Sequence, residues 1–595
     1  MVSPVWSADA DLITLDIRMN GKVVPGKYII EGIETDHLLN RIPKARITIA
    51  DGSRVEADFP ASADSIFAPG AEIEVLAGYH GKNKTLFKGV VVGQALRVHG
   101  EDAQHLCLDC QDKAAKLTVT RSTGLFADMA DSDAIESLIS AAGLSADVTS
   151  GGDKLEFQSK LYATDWDFLL ARAEANGHVV SVDAGKITIG PPTFETPTFS
   201  ATYGDTIIDV DLQLSAREQL GSVKATAWDP STQETTSASA SEPSANKQGA
   251  QSGKKLSEVL NLTEPTLRSY GTMTDAQLKT LADAHLLKSR LSRFSGTITV
   301  PGNAGLKIGD QIQLEGLGKI FSGDAYISAV HHVVRGGDWQ TTLGFGLEFR
   351  WFTDTTRDVS AAPATGWRPG TTGLEIATVL KTHEDPQNQR RIQVALPLRD
   401  GGKEGMWVRL ASSYASEGFG IEFLPEVGDE VVLGFLNGDP DAAVMLGALH
   451  SSKRTAPVEP DAQNTIKTIV TRAQHKVTFD DDKKIITVET PGGHKLTLSD
   501  EDKSITIEDS NKNTTVMNDS GIKTTSPKDI TIEATGSVTI KGTGGVDISS
   551  PADVSAKGAN VSVSAEMALT ATGTASAELS ATGETTVKGA MVMIN

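Results

Sequence analysis

The sequence predicts a mainly β protein: a base of two small barrels with inserted helices, a third barrel, and a C-terminal needle that three chains build together as an intertwined, triple-stranded β-helix. Three observations carry this. Aromatic residues make up 5% of the 595 residues, and none follows Phe479. Past residue 528, β-branched residues recur on an eight-residue step at Ile530, Val538, Val546 and Val554, with Gly536 and Gly544 at the same interval. Upstream, short runs alternate apolar and polar residues between turn formers, which is the pattern of half-buried strands.

The base is expected over 1–356. Alternating runs such as 45–49, 72–76 and 88–92 suggest an antiparallel barrel. Two helices interrupt it. Ser132 is expected to cap one that carries Ile135, Leu138, Ile139 and Ala142 on a single face, with Gly143 as its stop. Thr164 and Asp167 are expected as a capping box for the other, which carries Trp166, Leu169, Leu170 and Ala173. The run 231–255, rich in Ser, Thr, Ala and Gln, reads as a mobile surface loop. A helix with Leu278, Leu281, Ala282 and His285 on one face then leads to strands near 295–300, 311–315, 325–330 and 340–344, a second barrel resembling the first. Residues 357–372, with Pro363 and Pro369, form a linker.

The third barrel spans 373–455, a further linker 456–475, and the needle 476–595. Each needle unit supplies one or two β-branched residues, too little apolar surface to offset the entropy of ordering a lone chain. Three chains wound around one axis place Val and Ile inside, Thr, Ser, Lys and Asp outside, and Gly at the corners. Such winding removes free strand edges. Longer alternations at 476–479, 485–488, 496–498 and 505–507 lead into the regular part.

The net charge of −22 disfavours nucleic acid, whose binding rests on clustered Lys and Arg. No run approaches the ~20 apolar residues that cross a bilayer, and residues 1–13 lack a signal-peptide pattern, so synthesis and assembly are expected in the cytoplasm. The two cysteines agree with a reducing compartment.

No constellation of catalytic, cofactor-binding or metal-ligating residues emerges. Cys107 and Cys110 form a single Cys-x-x-Cys whose members have opposite strand parity, without the second pair a zinc site needs. His331 and His332 alternate faces on a strand, so at most one points inward. His383, Glu384 and Asp385 precede Pro386 in a turn rather than in a His-Glu-x-x-His helix. Trp407, Tyr414, Phe419, Phe423 and Phe435 in the third barrel stand among acidic residues, which speaks against single-strand nucleic-acid binding.

The run FGIEFLPEVGDEVVLGFLNGDPDAAVMLG, residues 419–447, resembles the signature of the OB-type neck barrel of VgrG proteins and phage baseplate spikes, with Pro425, Gly428, Asp429, Glu430, Val431, Gly438, Asp439 and Pro440 in order. YATDWDFLLARAEANGHVVSVDAGKITIG, residues 162–190, and LKIGDQIQLEGLGKIFSGDAYISAVHHVVRGGDWQTTLGFGLEF, residues 306–349, resemble the tail-hub base domain of the same family. The resemblance implies a homotrimeric hub, OB-fold neck and β-helical needle. It implies that this spike docks on inner tube and baseplate proteins of a contractile injection system and pierces a target envelope when the sheath contracts. It also implies a structural protein rather than an enzyme, touching membrane only during puncture, in a particle of extracellular, type VI or phage kind. The apolar run Met591, Val592, Met593, Ile594 and Asn595 resembles the blunt needle tip on which a PAAR-type protein sits. Measured against that family, a lysozyme insert between neck and needle and an effector domain beyond the needle are not expected. Two other readings stand beside this one: a β-helical carbohydrate-active enzyme of tailspike type, and an adaptor carrying effector cargo on the neck or on 231–255.

Overall fold

The strand Lys44–Ala50 shows the rule that builds the first half of the chain: Ala45, Ile47 and Ile49 are buried while Lys44 and Arg46 face outward. The same two-residue period buries Ile73, Val75 and Ala77 in Glu72–Tyr79, and Leu106, Leu108 and Cys110 in Gln104–Gln111. The computed structural model describes residues 2–6, 12–99, 104–359, 361–400 and 404–594. It divides into two units, Met1–Leu449 and His450–Asn595.

Within the first unit, a fourteen-stranded sheet encloses two apolar cores. One holds Ile33, Ile47, Ile73, Phe87 and Leu106; the other holds Ile298, Ile312, Leu314, Ile327 and Leu343. The strand Gly323–Arg335 serves both. It delivers Ile327 and Val330 to the second core and Val334 to the first, and it pairs antiparallel with Ile30–Leu38. The second set of strands expected from sequence is therefore joined to the first by a shared strand rather than standing apart.

An insert between these strands packs the helices Asp131–Ala141 and Asp165–Ala175 against the hairpin Val179–Asp183/Lys186–Gly190, with Ile135, Ile139, Leu169, Val180, Ile187 and Ile189 inside. The first helix corrects the expectation for Ser132. Ala130 is its N-cap residue, and Ser132 lies in the first turn. The side chain of Asp133 accepts from the Ala130 amide at 3.4 Å, while Asp131 accepts from the Arg172 guanidinium at 2.7 and 2.8 Å, which fixes the cap two residues before Ser132. Thr164 does cap its helix, accepting from the Asp167 amide at 3.0 Å; no return bond from the Asp167 side chain is found among the described residues.

The run 231–255 is not a free loop. Glu234–Ser239 pairs with Lys224–Asp229, and that sheet packs Ala225 and Ala227 on Leu278 and Ala282 of the helix Asp275–Leu291. Beyond it, two arginines hold the chain. Arg290 forks onto Glu242 at 2.6 and 2.8 Å, and Arg293 donates to the carbonyls of Gln251, Asn246 and Gln248 at 2.8, 3.2 and 3.1 Å. Polar composition here reflects a strap tied through its backbone, not a strap without ties.

The segment 357–372 also has contacts of its own. It contains the turn Pro363–Gly366 with Ala364 buried, and the Thr371 amide donates to the Gly438 carbonyl at 2.8 Å. A closed five-stranded barrel follows, built from Leu374–Lys381, Ile392–Ala395, Gly405–Leu410, Glu430–Phe435 and Ala443–Ala448 around Val379, Val394, Val408, Val431 and Leu433.

The second unit is a seven-stranded antiparallel meander from Ile466–Val470 to Gly521–Thr525, followed by extended chain. Its strands start at Ile466, Ile485 and Ser504, and alternately at Lys476, Lys495 and Thr514, so the hairpin repeats every nineteen residues. Each repeat turns the same way. The amides of Thr471, Thr490 and Asp509 donate to the carbonyls of His475, His494 and Asn513, and left-handed Gln474, Gly493 and Lys512 close the turns.

Candidate functional site: an uncovered apolar face

Antiparallel register sorts the meander into two faces. One carries the row Phe479, Ile486, Leu498, Ile505 and Met517 beside the row Ile469, Val477, Val488, Leu496 and Ile507. The other carries Thr468, Thr478, Thr487, Thr497 and Thr506, flanked by the alternating charges Lys476, Glu489, Lys495 and Glu508. On the apolar face Ile469, Phe479, Ile486, Val488, Leu498, Ile505, Ile507 and Met517 each keep 37–51% of their surface exposed. A sheet with one continuous apolar face and one polar face presents one side of a core, and here the apolar side stands exposed.

The extended chain beyond residue 525 goes further in the same direction. Ile530, Val538, Val546, Val554 and Val561 are 52–63% exposed, and Ile540, Ile548, Val563, Leu569 and Leu579 more so. Bends fall at 527–528, 535–536, 543–544 and 551–552, then at 559, 566–567, 574–575, 582–583 and 590–591. The octad therefore continues past Val554, where the glycine spacing loses its regularity, with one step shortened to seven between 559 and 566. Alternation of apolar residues, not glycine position, keeps the count. Of the tip residues, Met591, Val592, Met593 and Ile594 are exposed; Asn595 lies outside the described residues.

The signature residues of the third barrel shape turns. Gly428 adopts φ +84, and its amide donates to the Val379 carbonyl at 2.8 Å. The Asp429 carboxylate accepts from the Glu426 amide at 2.8 Å, closing the loop that begins at Pro425 and launches Glu430 and Val431 into their strand. Gly438 adopts φ +64 with no room for a side chain: a Cβ there would lie 2.7 Å from the Thr371 carbonyl oxygen. Asp439, just before Pro440, accepts from the Asp441 amide at 3.0 Å and pairs with Arg368. Tyr414, Phe419 and Phe423 are exposed on the loop 411–427, and Arg390 pairs with Glu422 beside them.

The remaining side chains singled out from sequence have structural partners. Cys107 and Cys110 are free thiols, both buried, and burial pushes Cys110 up to about 12, far from a reactive thiolate. His331 binds Asp36 at the surface, whereas His332 is buried against the Thr341 hydroxyl at 2.9 Å. Asp385 accepts from the Gln387, Gln389 and Arg391 amides and from the Arg391 guanidinium, which holds its carboxyl below the usual range and fixes the turn. Among the described residues no cluster of His, Cys, Asp and Glu could hold a metal ion.

Comparison with known proteins follows the same division. Residues 9–336 match the family model described as the Alg8 N-terminal domain, and residues 376–450 match the Type VI secretion system/phage-baseplate injector OB domain. The type VI secretion system spike protein VgrG3 of Vibrio cholerae is 32% identical over 116 residues, 18% of this chain and 11% of that protein. VgrG1a of Pseudomonas aeruginosa is 28% identical over 127 residues, 21% of this chain and 19% of its own length, so these matches span under a fifth of either relative. Among solved structures, the 43 kDa tail protein of prophage MuSo2 from Shewanella oneidensis aligns with 56% of this chain and 98% of its own at 14% identity and a TM-score of 0.44. With more than half of its length in the Alg8 N-terminal domain and an injector OB domain after it, the chain belongs to the Alg8 N-terminal domain family and is a VgrG-type spike protein.

Proposed function

We propose that this spike works as a homotrimer, docked by its base on the inner tube and baseplate of a contractile injection machine and driven through a target envelope by sheath contraction. The observation that carries this reading is the uncovered apolar face of the meander and its continuation into octads whose every Val and Ile stands exposed. A single chain gains nothing from holding those residues in register; three chains sharing one interior bury them all. About 25 cal/mol per Å² of apolar surface then favours the assembly, and the product is a rod without free edges. Force transmission needs stiffness and no chemistry, so the role is mechanical and not enzymatic.

The apolar run Met591–Ile594, repeated three times, would form the platform for a PAAR-type tip protein, and effector cargo would travel on the neck. Assembly in the cytoplasm, ahead of release or firing of the particle, is in keeping with a chain of 595 residues that carries two cysteines. Light scattering on the purified full chain tests the reading: the expected mass is three times 62.8 kDa, with residues 450–594 resistant to protease. A monomer whose C-terminal part is cut quickly would sink it.

A further inference from the structure

Between the two cores of the large sheet lies a polar seam. On the inner face of the paired strands Ile30–Leu38 and Gly323–Arg335, Thr35 stands opposite His332 and His37 opposite Val330, so the two histidines are diagonal neighbours. His332 is 4% exposed, and its Nδ1 meets the Thr341 hydroxyl. The Nε2 of His37 and the Thr35 hydroxyl are buried without a partner. Over this seam lies a cavity of about 300 Å³, roofed by Ser181, Asp183, Lys186 and Thr188, the outer face of the insert hairpin.

That hairpin is fastened at two points. Asn40 exchanges two hydrogen bonds with Val180, at 2.7 and 2.8 Å. Asp112 accepts from Gly185 at 2.9 Å and from Ala114 at 2.8 Å. Between the fastenings the hairpin spans the cavity, directly above two uncharged imidazoles.

We propose that this junction is an acid-sensitive joint: charging His37 and His332 loosens the seating of the insert, through its hairpin 179–190, on the shared sheet. Burial opposes the charged form of either ring. His37 faces His332 across the strand pair, the edge of Phe87 at 6.2 Å, and the carboxylates of Asp36, Asp112 and Asp183, whose attraction is outweighed by burial. His332 faces Trp339 at 5.9 Å, with His37 and His331 adding repulsion, and burial holds its ring down to about 3. Lys186 and Lys307, at the cavity wall, supply no counter-charge.

The sign follows from linkage. Both folded values lie below the ordinary 6.5, so the unfolded or detached form takes up protons first, and the seating is full above 6.5 and weakens as the pH falls below it. Asp112, whose carboxyl burial raises, works in the opposite sense but only in the carboxylate range, below the histidine window. His331, raised by Asp36, also opposes, and it lies on the outer face of the strand. Free volume under the hairpin gives water a place to enter once a charge appears.

Hydrogen exchange on the full chain, corrected for intrinsic rates, tests this at about pH 7.5 and about pH 5.5. Protection of 179–190 and of 35–40 is expected to fall at least about tenfold at the lower pH, with the OB barrel 374–448 unchanged as an internal control. In the double variant His37→Gln, His332→Gln, which cannot charge, the low-pH loss should vanish. If that variant does not fold, His37→Gln alone should shrink the loss. Equal protection of the wild type at both pH values, or an undiminished loss in the variants, overturns the proposal.

Discussion

His331 and His332 are consecutive residues on one strand, and their surroundings drive them in opposite directions. Pairing with Asp36 raises His331, while burial lowers His332. Alternation of a strand's two faces is enough to cause this: one ring meets a carboxylate in water, the other meets a tryptophan and a hydroxyl in the core. For His331 the folded value lies above the ordinary one, so its contribution to stability is complete at acid pH and is lost as pH rises through that raised value. His331→Gln should therefore lower the melting temperature more at about pH 5.5 than at about pH 8, by one or a few degrees because the pair is partly exposed. An effect that is equal at both pH values would show that the pair contributes only a neutral hydrogen bond.

At the scale of elements, the strap 240–257 shows where sequence reasoning stops. The octads and the turn glycines of the OB barrel were legible because period and turn chemistry are local: every Val538 has a Val546, and Gly438 has its φ. The strap is ordered by Arg290 and Arg293, which reach back 42 to 48 residues to bind carbonyls and a carboxylate, and such ties leave no periodic trace. Ser132 failed as a cap for a related reason, since the helix start is fixed by Arg172, 41 residues away. The nineteen-residue hairpin repeat was within reach, with Ile-x-Thr at 466, 485 and Ile505-Thr506 in the third copy, but the unequal turns mask it. Replacing Arg293 by Met removes the guanidinium donor from three carbonyls, of which the buried one, that of Gln248, costs about 1–3 kcal/mol when left without a partner. Arg293→Met should make 240–257 the first site of limited proteolysis at a temperature where the wild-type strap is uncut. A strap as resistant as before would mean that the short helix Gly253–Ser257 and the strand Glu234–Ser239 hold it unaided.

For the whole molecule, the proposed rod has two periods that must agree: two residues for the side to which a side chain points, and eight for the position of the bends. Deleting 537–544 removes one full octad and respects both, so Val538 and Ile540 leave together and Val546 and Ile548 take their places. That variant should assemble as the wild type does, one step shorter, with a melting temperature within a few degrees. Deleting 537–541 removes an odd number, so every later side chain changes face and Val546, Ile548 and Val554 turn outward while Asp547 and Asp553 turn toward the shared interior. Three carboxylates brought together there at each level have no counter-ion, and burying even one uncompensated charge costs several kcal/mol. The five-residue deletion should thus leave the stretch beyond 541 protease-sensitive, while the meander 466–525 upstream still associates. If the two deletions behave alike, no shared apolar interior exists past residue 525, and the exposed octads serve some purpose other than holding three chains in register.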